Sequence, residues 1–131
     1  MRRESWLPAA PEGAPQARGL VRAAASELAL DDELTYELCL ATTEAFANAV
    51  EHGAPCEQGG IRVRIESRDG GIWIEVCDCG ACFPWNAAIT EKPDGEGGRG
   101  IPIIASLMDS LEVLPDPGVT RVRFEKCLAP V

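Results

Sequence analysis

Positive charge is in short supply in this chain. Twelve lysines and arginines stand against twenty-one aspartates and glutamates, for a net charge of −9 and a pI near 4.5. Binding a nucleic-acid backbone needs clustered Lys and Arg, so the composition argues against a nucleic-acid partner. Long apolar runs are missing as well. The opening MRRESWLPAAPEG carries two arginines but no stretch long enough for a secretory signal or a membrane span. The expectation is a soluble, cytoplasmic protein without membrane attachment, and the six cysteines are then not expected to build a disulfide framework. Also absent is a Gly-Lys-Ser/Thr triplet behind a glycine-rich turn, which rules out a Walker-type phosphate loop. No internal repeat and no composition break marks a second domain.

What the chain does have is enough apolar content, 46% of 131 residues, for one sizeable core. Residues 1–131 read as a single domain. Residues 1–15 suggest a short edge strand or extended arm ended by a Pro/Gly break. From about Gln16 to Leu28 the apolar positions recur at helical spacing. Asp31 and Asp32 look like the start of a second helix, which runs to about Glu51 and stops at Gly53-Ala54-Pro55. Alternation then takes over: Ile61, Val63 and Ile65, a turn at Asp69-Gly70-Gly71, and Ile72, Ile74 and Val76 read as a hairpin. Asp78 to Gly100 has no period and is long for a connection in a compact domain. A third helix over 101–108, with Pro102 in its first turn, a short strand at 111–114 and a last strand through Thr120, Val122 and Phe124 complete the order. Helices first and hairpins after predict an α+β two-layer sandwich, a mixed, mostly antiparallel sheet covered on one face by helices.

Three clusters can carry chemistry. Glu44 and Asn48 stand at i and i+4 in an Ala-rich helix, on one face, where polar groups turned inward must be hydrogen-bonded or coordinate something; a pair facing water is the plainer alternative. Asp78-x-Gly80 closes a strand, either as a turn or as a carboxylate able to accept from the amino group of a purine. Gly98-Arg99-Gly100 opens onto the third helix: glycine lets backbone N–H groups approach an anion, and the helix start adds positive potential. Arg99 can reach a phosphate or be solvated. Separately, Cys77, Cys79 and Cys82 form C-x-C-x-x-C, which His52 or Cys56 could complete as a zinc set. Buried Cys39 and Cys77 and incidental loop cysteines are the competing reading.

Taken in order, Glu44-x-x-x-Asn48, Asp78-x-Gly80, Gly98-x-Gly100 and Thr120 resemble the ATP-binding domain shared by gyrase, Hsp90, histidine kinases and MutL, the GHKL or Bergerat fold. The run Glu-Ala-x-x-Asn-Ala-Val-x-His-Gly at 44–53, Gly-Arg-Gly-Ile at 98–101 and Leu-Met-Asp at 107–109 look most like the stand-alone anti-sigma factor serine/threonine kinases of bacteria. That resemblance implies ATP with Mg²⁺, Asn48 as the metal ligand and Glu44 as the base toward a protein hydroxyl. It implies Asp78, Gly80 and Thr120 at the adenine, the segment from about Pro84 to Gly100 as a lid, and Gly98, Arg99 and Gly100 at the phosphates. It further implies a sigma factor as partner, met by Arg18, a STAS-type anti-anti-sigma protein as substrate, and a homodimer. The chain departs from the wider Asp-x-Gly-x-Gly pattern at Cys82, where a glycine would tolerate conformations a cysteine does not. Two alternatives stay open: a nucleotide-responsive regulator without kinase activity, and a zinc-stabilised adaptor built on Cys77, Cys79 and Cys82.

Overall fold

The structure is a computed structural model that describes residues 1–80 and 100–128. Five strands, β1 (Arg2–Leu7), β2 (Ile61–Arg68), β3 (Gly71–Asp78), β4 (Ser110–Asp116) and β5 (Val119–Cys127), and three helices, α1 (Gly13–Glu27), α2 (Asp32–His52) and α3 (Gly100–Leu107), account for most of the described residues. The strand order is β1-β2-β3-β5-β4. Every pairing among the described residues is antiparallel, so the two-layer sandwich forms as expected while its sheet is antiparallel throughout rather than mixed.

Local chemistry explains the boundaries. Asp31 caps α2 by accepting the Leu34 N–H at 2.8 Å, and Asp32 and Glu33 lie in its first turn, at the positive end of the dipole. The helix α1 begins three residues before the expected Gln16, because the N–H groups of Gly13 and Ala14 already bond back to Ala10 and Pro11, and Pro15 sits in the first turn, where no donor is required. The β2–β3 turn is a two-residue loop with both Asp69 (φ 54°) and Gly70 (φ 75°) left-handed, the backbone that matches the twist of a hairpin. Strand β4 runs past Leu114 through Pro115, a residue that an edge strand accommodates.

The two faces of the sheet differ. Toward the helices, Ile61, Val63 and Ile65 of β2, Ile72, Ile74 and Val76 of β3, and Val122 and Phe124 of β5 meet Val21, Leu38, Ala41, Ala45, Phe46 and Ile104, and all of these are buried. Each fully buried aliphatic contributes about 2 kcal/mol relative to exposure. On the far face, alternation predicts side chains in water, yet β3 is buried on both sides. Trp73 lies under the guanidinium groups of Arg64, Arg68 and Arg123, 5.1–5.6 Å from its ring centroid. Beside it, Glu75 is fully buried and bonded to Arg123 at 2.8 Å and Arg62 at 3.0 Å, with Arg64 at 3.4 Å.

Candidate functional site

The end of α2, the end of β3 and the start of β5 converge on Asp78. This residue closes β3 on the helix-facing side, directly across the sheet from Thr120, and the two are 2% and 1% exposed. Asp78 Oδ1 accepts the Gly80 N–H at 2.9 Å, and the Ala54 backbone N–H also supports the carboxylate. Burial nonetheless dominates and pushes the Asp78 carboxyl above the ordinary aspartate value, with the Gly80 and Ala54 amides pulling the other way. The Thr120 hydroxyl has no hydrogen-bond partner among the described residues. A buried acceptor and a buried hydroxyl, held side by side by strand register, form a polar end wall to an otherwise apolar layer.

Glycine makes this convergence possible. Gly53 caps α2, its N–H bonded to the Ala49 carbonyl, in an extended conformation (φ −98°, ψ −159°) that any residue adopts. Its requirement is space. A Cβ there would sit on the Asp78 carboxyl group, 2.5 Å from Oδ1. On the other side, a Cβ on Gly80 would stand 2.7 Å from the Ala54 nitrogen. The exit of α2 therefore lies flush against the strand end, and the Cys79 N–H donates to the Ala54 carbonyl at 2.9 Å.

Asn48 lies five residues before Gly53, about 7.5 Å along the helix axis. It is 5% exposed, and its Nδ2 finds no partner among the described residues. An unsatisfied amide group in such a position costs about 1–3 kcal/mol unless a group beyond the described residues completes it. Glu44, one turn earlier, is half-buried, and Ala47 beside the pair is exposed. The side of α2 carrying Ala45 and Ala49 is buried, so Asn48 lies at the margin of the core with Glu44 nearer the solvent.

Not every expected site residue joins this cluster. Arg18 sits on the other side of α2, where its Nη1 donates to Thr43 Oγ1 at 3.3 Å, and it lines a shallow groove with Arg22, Tyr36, Cys39, Leu40 and Thr43. Tyr36 there is 68% exposed, a large apolar body turned to solvent. Gly100 is the first residue of α3, which packs on α2. Gly98, Arg99, Cys82 and the expected lid from Pro84 onward lie outside the described residues.

The cysteines behave differently from the sequence expectation. Cys56 and Cys79 form a disulfide, with 4.9 Å between their Cα atoms, a pairing that the expectation of no disulfide framework did not foresee. Their sequence separation of 23 gives no hint of proximity; the flush packing of Gly53 against Asp78 supplies it. The bond also takes Cys79 from the C-x-C-x-x-C set, and no cluster of three metal-ligating side chains exists among the described residues. Cys39 and Cys77 are buried free thiols, each pushed up by burial. Two contributors escaped the sequence reading, Gly53 and Ala54, which act through shape and backbone. Only the adjacent small pair Gly53-Ala54 hinted at close packing there.

Comparison with known proteins converges on one family. Residues 7–126 match the histidine kinase-like ATPase domain. The serine-protein kinase RsbW of Bacillus pumilus is 32% identical over 130 residues, covering 89% of this chain and 80% of that protein. The anti-sigma F factor of Clostridium botulinum is 31% identical over 103 residues, covering 72% and 71%. Among solved structures, the RsbU and RsbW domains of a Mycobacterium tuberculosis protein superpose with a TM-score of 0.77 at 21% identity. The overlap covers all of this chain and 33% of that one, a likeness of fold.

Proposed function

This chain belongs to the histidine kinase-like ATPase domain family, and from that premise we propose that it is an ATP-dependent protein serine/threonine kinase that also acts as an anti-sigma factor. In one state it sequesters a sigma factor; in the other it phosphorylates a STAS-type anti-anti-sigma protein, in the cytoplasm and as a homodimer. Its relatives' names, a serine-protein kinase and an anti-sigma F factor, support both halves of that role. The observation that carries the nucleotide site is Asp78, a buried carboxylate backed by two amides and lying beside the unpartnered hydroxyl of Thr120.

Within this reading Asp78 accepts from the adenine amino group, Thr120 and Gly80 close the base pocket, and Asn48 and Glu44 face the phosphates. The orphaned carboxamide of Asn48 fits a Mg²⁺ ligand, since rotation about its last bond offers either oxygen or nitrogen. The metal, when bound, neutralises phosphate charge that this acidic chain cannot. Gly98, Arg99 and Gly100 donate to the phosphates. Glu44, half-exposed and thus reachable by a protein substrate, takes the proton of the substrate hydroxyl as its oxygen attacks the γ-phosphorus and ADP departs. Arg18, in its groove between α1 and α2, meets the sigma factor.

Labelled ATP and a STAS partner test this directly. Glu44→Gln is expected to lower phosphoryl transfer by about 10²–10⁴-fold with ATP affinity kept. Transfer that persists in this variant removes Glu44 from the role of base. ATP binding without transfer in the unmodified protein would instead favour the nucleotide-responsive regulator.

A further inference from the structure

The Cys56–Cys79 disulfide has no part in the roles above, yet it sits one residue from Asp78. It joins two short pieces of backbone. One is the α2 exit, where Cys56 bonds Gly60 in a small closed loop (Cys56 N–H to Gly60 carbonyl, 2.8 Å; Gly59 N–H to Cys56 carbonyl, 2.9 Å). The other is Asp78-Cys79-Gly80, whose amide at Gly80 braces the Asp78 carboxylate. Ala54, two residues before Cys56, contributes the second brace. Between the two pieces, the direct backbone hydrogen bond is Cys79 N–H to Ala54 carbonyl. The disulfide is therefore a second fastening on the polar wall of the site.

Its two sulfurs are not equivalent. Cys56 is 5% exposed, whereas Cys79 is only partly covered, so Cys79 is the less protected residue of the pair. Among the described residues the other thiols are poor competitors: Cys39 and Cys77 are buried with their thiols pushed up by burial, and thiolate content governs exchange. Cys127, exposed at the far end of β5, is remote from the pair in the sheet. Disulfides that persist in a reducing cytosol are uncommon, and those that do occur there are mostly transient and redox-sensing.

We propose that Cys56 and Cys79 form a reversible thiol switch that sets the nucleotide affinity of the Asp78 site. The proposal rests on the ATP-site reading given above. A small-molecule or protein dithiol attacks Cys79 Sγ, the S–S bond breaks, and Cys56 leaves as a thiolate that takes up a proton. The second thiol of the reductant then resolves the mixed disulfide and frees Cys79 as a thiol. Two electrons and two protons enter the protein while the dithiol becomes a disulfide. A hydroperoxide reverses the change: two thiols and ROOH give the disulfide, ROH and water. In the disulfide form the Ala54 and Gly80 amides are held against Asp78 before ligand arrives. In the dithiol form the 53–60 segment has one fastening fewer and must be ordered on binding, which weakens association.

The full-length protein is oxidised with hydroperoxide or reduced with dithiothreitol, and thiols are counted alongside titration with a fluorescent ATP analogue and Mg²⁺. Reduction is expected to expose two further thiols, to abolish the cross-linked peptide containing Cys56 and Cys79, and to weaken the analogue by about tenfold, with far-UV circular dichroism unchanged. Cys79→Ser should bind like the reduced protein and ignore dithiothreitol. Equal affinity in both states, with the two thiols released, overturns the switch and leaves the ATP site standing. No analogue bound in either state overturns the switch together with the ATP reading. No change in thiol count, or collapse of the dichroism on reduction, overturns it in favour of no bond or of a purely structural one.

Discussion

Strand β3 buries two carboxylates three residues apart and treats them in opposite ways. Glu75 points away from the helices and is fully covered. Burial alone would raise its carboxyl, but the hydrogen bonds from Arg123 and the charges of Arg64, Arg123 and Arg62 outweigh it and hold the group below the ordinary glutamate value. Asp78 points toward the helices and is nearly as covered. Among the described residues its helpers are two backbone amides and no cation, so burial wins and the group sits above the ordinary aspartate value. One acid is satisfied by its own chain and works as a structural keystone for an arginine-covered sheet face. The other is left under-satisfied, which is the condition in which an outside donor gains most by arriving.

The sharpest way to break this contrast is to remove the charge of Asp78 alone. Asp78→Asn keeps the size and an oxygen for the Gly80 and Ala54 amides, so folding should be unharmed. Its loss should appear in ligand binding, since a hydrogen bond to a charged acceptor is worth about 1.5–3 kcal/mol, or roughly 10–150-fold in affinity. Calorimetric titration with Mg-ATP checks it, alongside thermal unfolding. A variant that melts early but still binds would assign Asp78 to the same structural class as Glu75.

The reverse experiment on Glu75 should separate the two cleanly. Glu75→Ala leaves Arg62, Arg64 and Arg123 crowded without their shared counter-charge, and breaking a buried ion cluster from one side costs about 3 kcal/mol. For a chain of this size that lowers the melting temperature by roughly 10 °C. Nucleotide affinity measured well below the melting point should stay within about twofold, since additive behaviour is expected of groups on opposite faces with no shared partner. A large loss of binding here would show the two faces to be coupled.

The same contrast marks what could be read from the chain in advance. The α2 boundaries followed from Asp31 and from the break at Gly53. The hairpin followed from period-2 alternation, and the pairing of Asp78 with Thr120 followed once β5 was known to lie beside β3. These are local signals, carried by side-chain type and spacing. The Glu75 cluster was not legible, because alternating Arg62, Arg64, Glu75 and Arg123 look the same whether water or one another surrounds them. Nor was the reason for Gly53: a glycine ending a helix is locally expected, while the real constraint comes from a side chain 25 residues away. Cys56 and Cys79 fall in the same class. In each case the information lies in tertiary proximity, which no window of sequence contains.

The smallest expected effect is also the one that tests the comparison in a single curve. Because the folded-state carboxyl of Glu75 is depressed, its stabilisation is fully present above the unfolded value of about 4.3 and is lost as pH falls through the folded value. Asp78 runs the other way. Its folded-state carboxyl is raised, so ionised Asp78 costs stability above that value, and the cost is relieved as pH falls toward the unfolded value of about 3.9. The two contributions therefore oppose one another on the acid side. Urea unfolding between pH 7 and pH 3 should show a shallower acid loss for Glu75→Gln than for the unmodified protein, and a steeper one for Asp78→Asn. Differences on the order of 1 kcal/mol per unit of pKa displacement are expected. Parallel curves for the two variants would mean that the two acids share one environment after all; slopes that diverge in the stated directions follow from three arginines beside one carboxylate and two amides beside the other.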